Sequence, residues 1–167
     1  MDKKRGCDNV SDLLHIVLFG GFPKKMTEIV GENAAAMLLR ECSKESFLSA
    51  LSQPNCKLKP VDDIVNLAKQ NDYSALFDYC YHVLERVGYP YEKEVVVDNE
   101  STYSVKVTKC PHIDFVKEQP IACNVCKGMK LGILEAIYGE PVEIETLKDM
   151  AQGDEYCLSV FKKPAKK

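Results

Sequence analysis

The stretch that decides the fold is Glu92–Thr108, which reads EKEVVVDNESTYSVKVT. In its second part Tyr103, Val105 and Val107 alternate with polar residues, which is the two-residue period of a strand with one buried face. The polar run Asp98–Ser101 has the composition of a turn, and the residues before it are again rich in valine. We therefore predict a β-hairpin here.

Helical periodicity dominates the residues before this hairpin. Hydrophobic side chains recur every three or four residues over Tyr73–Val87, the spacing of one helix face. An alanine-rich stretch over Thr27–Leu39 predicts another helix. A short apolar stretch up to Phe19 predicts a first helix, which we expect to end at Gly20–Gly21.

The residues after the hairpin predict a helix and a second hairpin. Ile121–Tyr138 has helical spacing, and Val142–Lys148 and Tyr156–Phe161 have the composition of strands joined by a turn. Antiparallel strands beside segregated helices are typical of the α+β class. We predict an α+β fold in which N-terminal helices pack on an antiparallel sheet made of two hairpins flanking a helix. We expect a single domain, 1–167, with a helical part at about 8–89 and a hairpin–helix–hairpin part at about 91–162.

Composition limits the classes of function. The chain has 167 residues, of which 46% are hydrophobic and 28% charged, and its formal net charge is −3. These values are typical of a soluble domain and argue against a broad electrostatic nucleic-acid interface, so we expect no direct nucleic acid binding. No apolar run reaches the roughly 18 residues of a membrane span, and no signal-peptide cleavage site follows the basic Met1–Arg5. We expect a cytoplasmic protein.

Soft metal ligands gather in the C-terminal part of the chain. Eight cysteines are many for a compartment in which disulfides are rare. The candidate ligands are Cys110, His112, Cys123, Cys126 and Cys157. The C-x-x-C pair opens the predicted helix, where free backbone N–H groups favour thiolates. Zinc prefers four thiolate and imidazole ligands, often in short local pairs, so the spacing predicts a zinc site.

Two other interpretations of these cysteines stay open. Buried cysteine is common and often inert, and a C-x-x-C pair can act in redox chemistry when it follows a strand in a βαβ unit. Here a long proline-containing loop separates the pair from the preceding strand. His15 and His82 lie in predicted helices without a paired ligand, so we expect ordinary core or surface histidines.

Gly128 and Gly132 form a strip without side chains on one face of the predicted helix. Each glycine costs about 1 kcal/mol relative to alanine in a helix interior. Close backbone contact with a strand, a partner helix or a ligand explains such a strip.

One set of residues resembles the 4-vinyl reductase domain family: Cys123, Lys127-Gly128, Gly132, Glu135–Gly139, Val142-Glu143, Ala151–Asp154 and Cys157. The resemblance covers roughly residues 102–162. It implies an α+β domain, often dimeric, that encloses a small hydrophobic or aromatic molecule. It also implies a fold related to vesicle-tethering subunits of the TRAPP type.

Some members of that family have a zinc site, and Cys123 and Cys157 match two of its cysteine ligands. The position of a third cysteine, eight residues before Cys157, is Asp149 here, and the acidic ligand three residues earlier is Thr146. The shell is completed either by Asp149, with Glu145 nearby, or by the other members of the thiol and imidazole set.

The leading functional hypothesis is a binding or sensing domain for a small apolar ligand, with a structural zinc ion and a homodimeric state. We expect the ligand between the helices and the strand face of Tyr103, Val105 and Val107, a concave and mostly apolar site. Other candidate lining residues are Phe77, Tyr81 and Met129. The alternatives are a reductase-like or metal-dependent enzyme and a zinc-stabilised dimeric scaffold for protein partners. The chain lacks a dinucleotide fingerprint, a P-loop and a nucleophile elbow.

Overall fold

The computed structural model describes Leu13 and residues 15–51, 90–138 and 141–163. Within these ranges no helix is long and apolar enough to span a membrane. The helix predicted over Tyr73–Val87, with Phe77, Tyr81 and His82, lies outside the described residues. The single-domain organisation stays a prediction.

Nearly continuous helix forms the N-terminal part of the described chain. Its elements are a π-helical turn (Val17–Gly21), helix α1 (Phe22–Val30) and helix α2 (Glu32–Leu51). The break between α1 and α2 is at Gly31, which has a φ of 80°, a conformation that favours glycine.

The helix end expected at Gly20–Gly21 is wrong. Gly21 keeps right-handed helical angles, with φ −68° and ψ −43°, so the π-helical turn continues directly into α1. Pro23 follows this π-helical turn, and because proline has no backbone N–H, it donates no hydrogen bond to the preceding turn.

Four strands form one antiparallel sheet: β1 (Glu92–Asp98), β2 (Thr102–Lys109), β3 (Ile144–Lys148) and β4 (Cys157–Lys162). The strand order is β1-β2-β4-β3, so each predicted hairpin forms and the two hairpins join through β2 and β4. Tyr103 of β2 stands opposite Phe161 of β4. The predicted α+β fold is confirmed.

The segment between β2 and the late helix is more ordered than the expected loop. It contains helix α3 (Ile113–Glu118) and a 3₁₀ turn (Pro120–Ala122), which leads into helix α4 (Cys123–Tyr138). A second 3₁₀ turn, Met150–Gln152, lies between β3 and β4.

Two clusters of buried side chains hold these elements together. The first packs the inner face of the sheet against α4: Tyr103, Val105, Val107, Leu134, Val142 and Phe161. The second packs the N-terminal helices against α3 and the start of α4: Phe19, Ala35, Leu39, Val116, Ile121, Ala122, Val125 and Ala151. The start of α4 therefore lies where the sheet end and the helical layer meet.

The glycine strip on α4 contacts the backbone of α2. A Cβ atom added at Gly128 would lie 2.2 Å from the carbonyl oxygen of Arg40, and one at Gly132 would lie 2.9 Å from that of Lys44. Close backbone contact is confirmed, and the partner is a helix. This contact holds α4 close against α2.

Candidate functional site: a cavity lined by four thiols

Strand pairing and one helix start bring the C-terminal cysteines together. Cys157 opens β4 and stands opposite Val107 of β2, so Cys110, just beyond the end of β2, lies at the same end of the sheet. Cys123 begins α4, and Cys126 follows almost one turn later on the same side of the helix.

These thiols line a cavity of about 70 Å³. It is lined by Tyr91, Val107, Cys110, His112, Val116, Cys123, Cys126, Lys127, Lys130, Thr146, Asp149, Cys157 and Ser159. All five sequence-predicted ligands are therefore at one place. Their role as metal ligands stays a prediction.

Asp149 links two of the thiols. Its Oδ1 atom lies 4.0 Å from Sγ of Cys123 and 3.9 Å from Sγ of Cys157, and the same atom accepts a hydrogen bond from the backbone N–H of Ala151 at 2.9 Å. Lys127 places its ammonium nitrogen 3.9 Å from Oδ2. Asp149 thus occupies the place expected from the sequence, beside the cysteines.

Glu145, which we expected near Asp149, does not line the thiol cavity. Thr146 lines the thiol cavity, but Glu145 is exposed and lines a separate groove. Successive residues of β3 point to opposite faces of the sheet, which explains why only one of the two reaches the thiols.

Burial keeps the thiols protonated. It raises the pKa of Cys110 to about 12, with the neighbouring Cys126 as the next cause. The pKa of Cys123 is raised by burial and then by Asp149, and burial also raises the pKa of Cys126 and Cys157. A redox C-x-x-C pair works through a lowered thiol pKa, so this environment argues against the redox interpretation.

His112 has a structural partner that sequence reasoning missed. It is 1% exposed, and its Nδ1 lies 2.6 Å from Nε2 of His15. Its ring stacks on Phe19 at a centroid distance of 4.0 Å. Burial, with His15 as the next cause, lowers the pKa of His112 to about 3. The pair joins the N-terminal helix to the wall of the thiol cavity.

The thiols and the Asp149 carboxylate are not spaced as the ligands of a single metal ion. Zn–S and Zn–O bonds at tetrahedral angles would separate a thiolate from a carboxylate oxygen by about 3.6 Å, slightly less than the two distances to Asp149. In the part of the chain that the structure describes, no three histidine, cysteine or carboxylate side chains are arranged to hold one metal ion. Zinc stays a prediction.

A second and larger cavity also borders α4. This groove has a volume of about 530 Å³. Its apolar lining is Leu131, Val142, Ile144 and Val160, and its charged lining is Arg40, Glu41, Lys127, Glu135, Glu143, Glu145 and Lys162. Lys127 borders both cavities.

The pocket expected at the inner face of β2 is occupied by packing. Tyr103 and Val105 are 0% and 1% exposed within the sheet core, and Val107 is the member of that face that lines the thiol cavity. Met129 packs against the helical core cluster. Alternating residues predict a buried face, but alternation does not distinguish a face packed by side chains from one that lines a cavity.

Comparison with known sequences places the chain in a family. The sequence profile described as methanogen output domain 1 matches residues 22–162. The chain belongs to the methanogen output domain 1 family. The match includes the four thiols and all the lining residues of the groove. The resemblance to the 4-vinyl reductase family stays a prediction, and the comparison with curated proteins finds no match.

Solved structures share the fold of this family member. One is the phenol-responsive sensory domain of the transcription activator PoxR with phenol, at TM-score 0.61 and 12% identity, covering 92% of this chain and 74% of that one. Another is a trafficking protein particle complex subunit 3 from Naegleria fowleri covalently bound to palmitic acid, at TM-score 0.51 and 18% identity, covering 92% and 95%. The fold relation to tethering subunits, expected from the sequence, is confirmed.

Proposed function

We propose that this chain is a sensory domain that binds a small hydrophobic or aromatic molecule. The observation that carries the proposal is the fold shared over 92% of the chain with a domain that responds to phenol. The groove beside α4 supplies a site of suitable size, since pockets for small molecules commonly measure about 300–1,000 Å³ and this one measures about 530 Å³.

Size decides between the two cavities. An apolar cavity of about 150 Å³ holds benzene, and the thiol cavity has about 70 Å³. The groove therefore gives an aromatic ring more room than the thiol cavity does. In the groove, the apolar floor would contact the ring, and the charged residues at the rim would orient a polar substituent.

Thermal unfolding with phenol as the probe tests this function. A ligand at 100 times its Kd adds about 2.7 kcal/mol to the free energy of unfolding, which raises the Tm by about 5–11 °C for a domain of this size. Absence of any shift at saturating phenol would count against an aromatic ligand.

A matched pair of variants locates the site. Ile144→Trp fills the groove, whereas Leu147→Trp adds the same side chain on the same strand at a residue that is 54% exposed. We expect the phenol shift to disappear in the first variant and to persist in the second. Equal shifts in both would place the ligand elsewhere.

We also propose that the protein is a homodimer that buries an apolar surface of the N-terminal helices. Ile29 and Met37 are 71% and 53% exposed, and Phe22 and Val30 are exposed beside them. All four lie on the consecutive helices α1 and α2, and exposed apolar surface marks interaction sites in soluble proteins when it is grouped in this way. Light scattering should give twice the chain mass for the unmodified protein and the monomer mass for Ile29→Lys. A monomeric unmodified protein would contradict the proposal.

A further inference from the structure

The four thiols line one cavity. The cavity between them has about 70 Å³, whereas a single water needs about 10–15 Å³ of such volume. Thiolates that share one zinc ion would lie about 3.8 Å apart with the ion at their centre, yet no three donors among the described residues are arranged around one ion. The space suits an occupant of several atoms.

The four thiols share the lining of this cavity with Asp149. Cys123 and Cys157 meet at Asp149, within 4.0 Å and 3.9 Å of its Oδ1. Cys110 and Cys126 line the same cavity as these two cysteines. Four cysteines, from the residue after β2, the first turn of α4 and the start of β4, thus line one cavity.

We propose that this cavity binds an iron–sulfur cluster through Cys110, Cys123, Cys126 and Cys157. Such clusters are held by four cysteine thiolates, and soft thiolate sets select iron–sulfur clusters, zinc or copper(I) over harder ions. A cluster differs from zinc and copper(I) because its own iron and sulfide atoms fill a void between the cysteines. Ligation releases the four thiol protons to solvent and changes no oxidation state.

The walls of the cavity supply the interactions that a bound cluster requires. A cluster with four thiolate ligands carries net negative charge, and the side chains of Lys127 and Lys130 line the same space. The backbone N–H of Met150 donates to Sγ of Cys157 at 3.3 Å, and the hydroxyl oxygen of Tyr91 lies 3.6 Å from Sγ of Cys126. Hydrogen bonds to sulfur and exclusion of solvent tune the reduction potential of clusters.

This inference is independent of the sensory function, because the groove and the thiol cavity are separate spaces that share only Lys127 among their lining residues. A chain that binds phenol without a cluster would overturn only the cluster. A chain with a cluster and no response to phenol would overturn only the sensory proposal.

Purification of the whole chain without oxygen, with iron and sulfide supplied, tests the cluster. We expect iron and acid-labile sulfide in equal amounts, about two to four of each per chain, and a broad visible absorption band that dithionite bleaches. One zinc ion per chain without sulfide would overturn the proposal in favour of a single-ion site. Four free thiols with no bound inorganic species would also overturn it.

Two serine variants assign the ligands. Cys126→Ser should lose at least half of the visible band, whereas Cys42→Ser should keep it, because Cys42 is an exposed residue of α2. Equal bands in both variants would overturn the assignment. Circular dichroism checks that each variant folds. If Cys126→Ser does not fold, the iron-to-sulfide ratio of the unmodified chain still decides whether a cluster is present.

Discussion

Replacing Gly128 by alanine tests how α4 is positioned. The added Cβ would lie 2.2 Å from the carbonyl oxygen of Arg40, and real Cβ atoms essentially never come within 3.0 Å of a neighbour. The two helices must therefore separate by roughly 0.8 Å at this point. Overpacking of this kind costs about 1–3 kcal/mol, and because the neighbour is backbone we expect the upper end.

Helix propensity opposes that cost. Alanine is favoured over glycine in a helix by about 1 kcal/mol, so the net loss in the free energy of unfolding is about 2 kcal/mol. For a domain of this size the Tm should fall by about 4–8 °C. Urea unfolding monitored by circular dichroism measures the same loss as a lower midpoint with an unchanged slope.

A matched control distinguishes contact from propensity. Gly21 has helical backbone angles, and a Cβ added there meets nothing within 4 Å, so Gly21→Ala should stabilise the protein by up to about 1 kcal/mol. If Gly128→Ala is equally stabilising, the close contact between α2 and α4 is wrong. A smaller loss is expected for Gly132→Ala, whose Cβ would lie 2.9 Å from the nearest atom.

Three further predictions concern stability. Leu134→Ala removes a side chain that is 1% exposed in the sheet core and should lower the free energy of unfolding in urea by about 2–5 kcal/mol; a loss below 1 kcal/mol would contradict the assigned core. Gly153→Ala places a Cβ on a residue with a φ of 102° and should lower the same free energy by about 1–3 kcal/mol, whereas an unchanged urea midpoint would show that the turn after Asp149 adapts. Burial lowers the pKa of His112 from 6.5 to about 3 in the folded protein. Between pH 6.5 and pH 3 the unfolded chain therefore binds a proton at His112 that the folded protein does not. The free energy of unfolding should fall as the pH falls from 6.5 towards 3. Urea midpoints from pH 7 to 4 should show a weaker fall in His112→Gln, and identical pH profiles would refute this origin.

The sequence contains most of the information on the sheet. Alternation over Thr102–Lys109 and the turn before it predict the first hairpin, because a strand with one buried face repeats every two residues. The strand composition of Tyr156–Phe161 also predicts that Cys157 lies near the start of the last strand. Once β2 and β4 are neighbours, Val107 pairs with Cys157, and the gathering of the cysteines follows.

Other features depend on contacts between distant parts of the chain. His15 and His112 are 97 positions apart in the sequence. No local motif at either histidine predicts that the two side chains are in contact. The continuation of helix through Gly20–Gly21 was missed because glycine permits both a helix end and helical angles. The spacing of the cysteines also predicts that their thiols lie near one another. It does not predict the size of the cavity between them, and that size is what distinguishes a site for one ion from a site for a cluster.

Native mass spectrometry of the chain isolated without oxygen tests the central claim, that the four-thiol cavity binds an iron–sulfur cluster. The account predicts a mass above that of the polypeptide by an iron–sulfur core, which is retained in Cys42→Ser and lost or reduced in Cys126→Ser. A mass equal to the bare polypeptide, or to the polypeptide with one zinc ion, would contradict it.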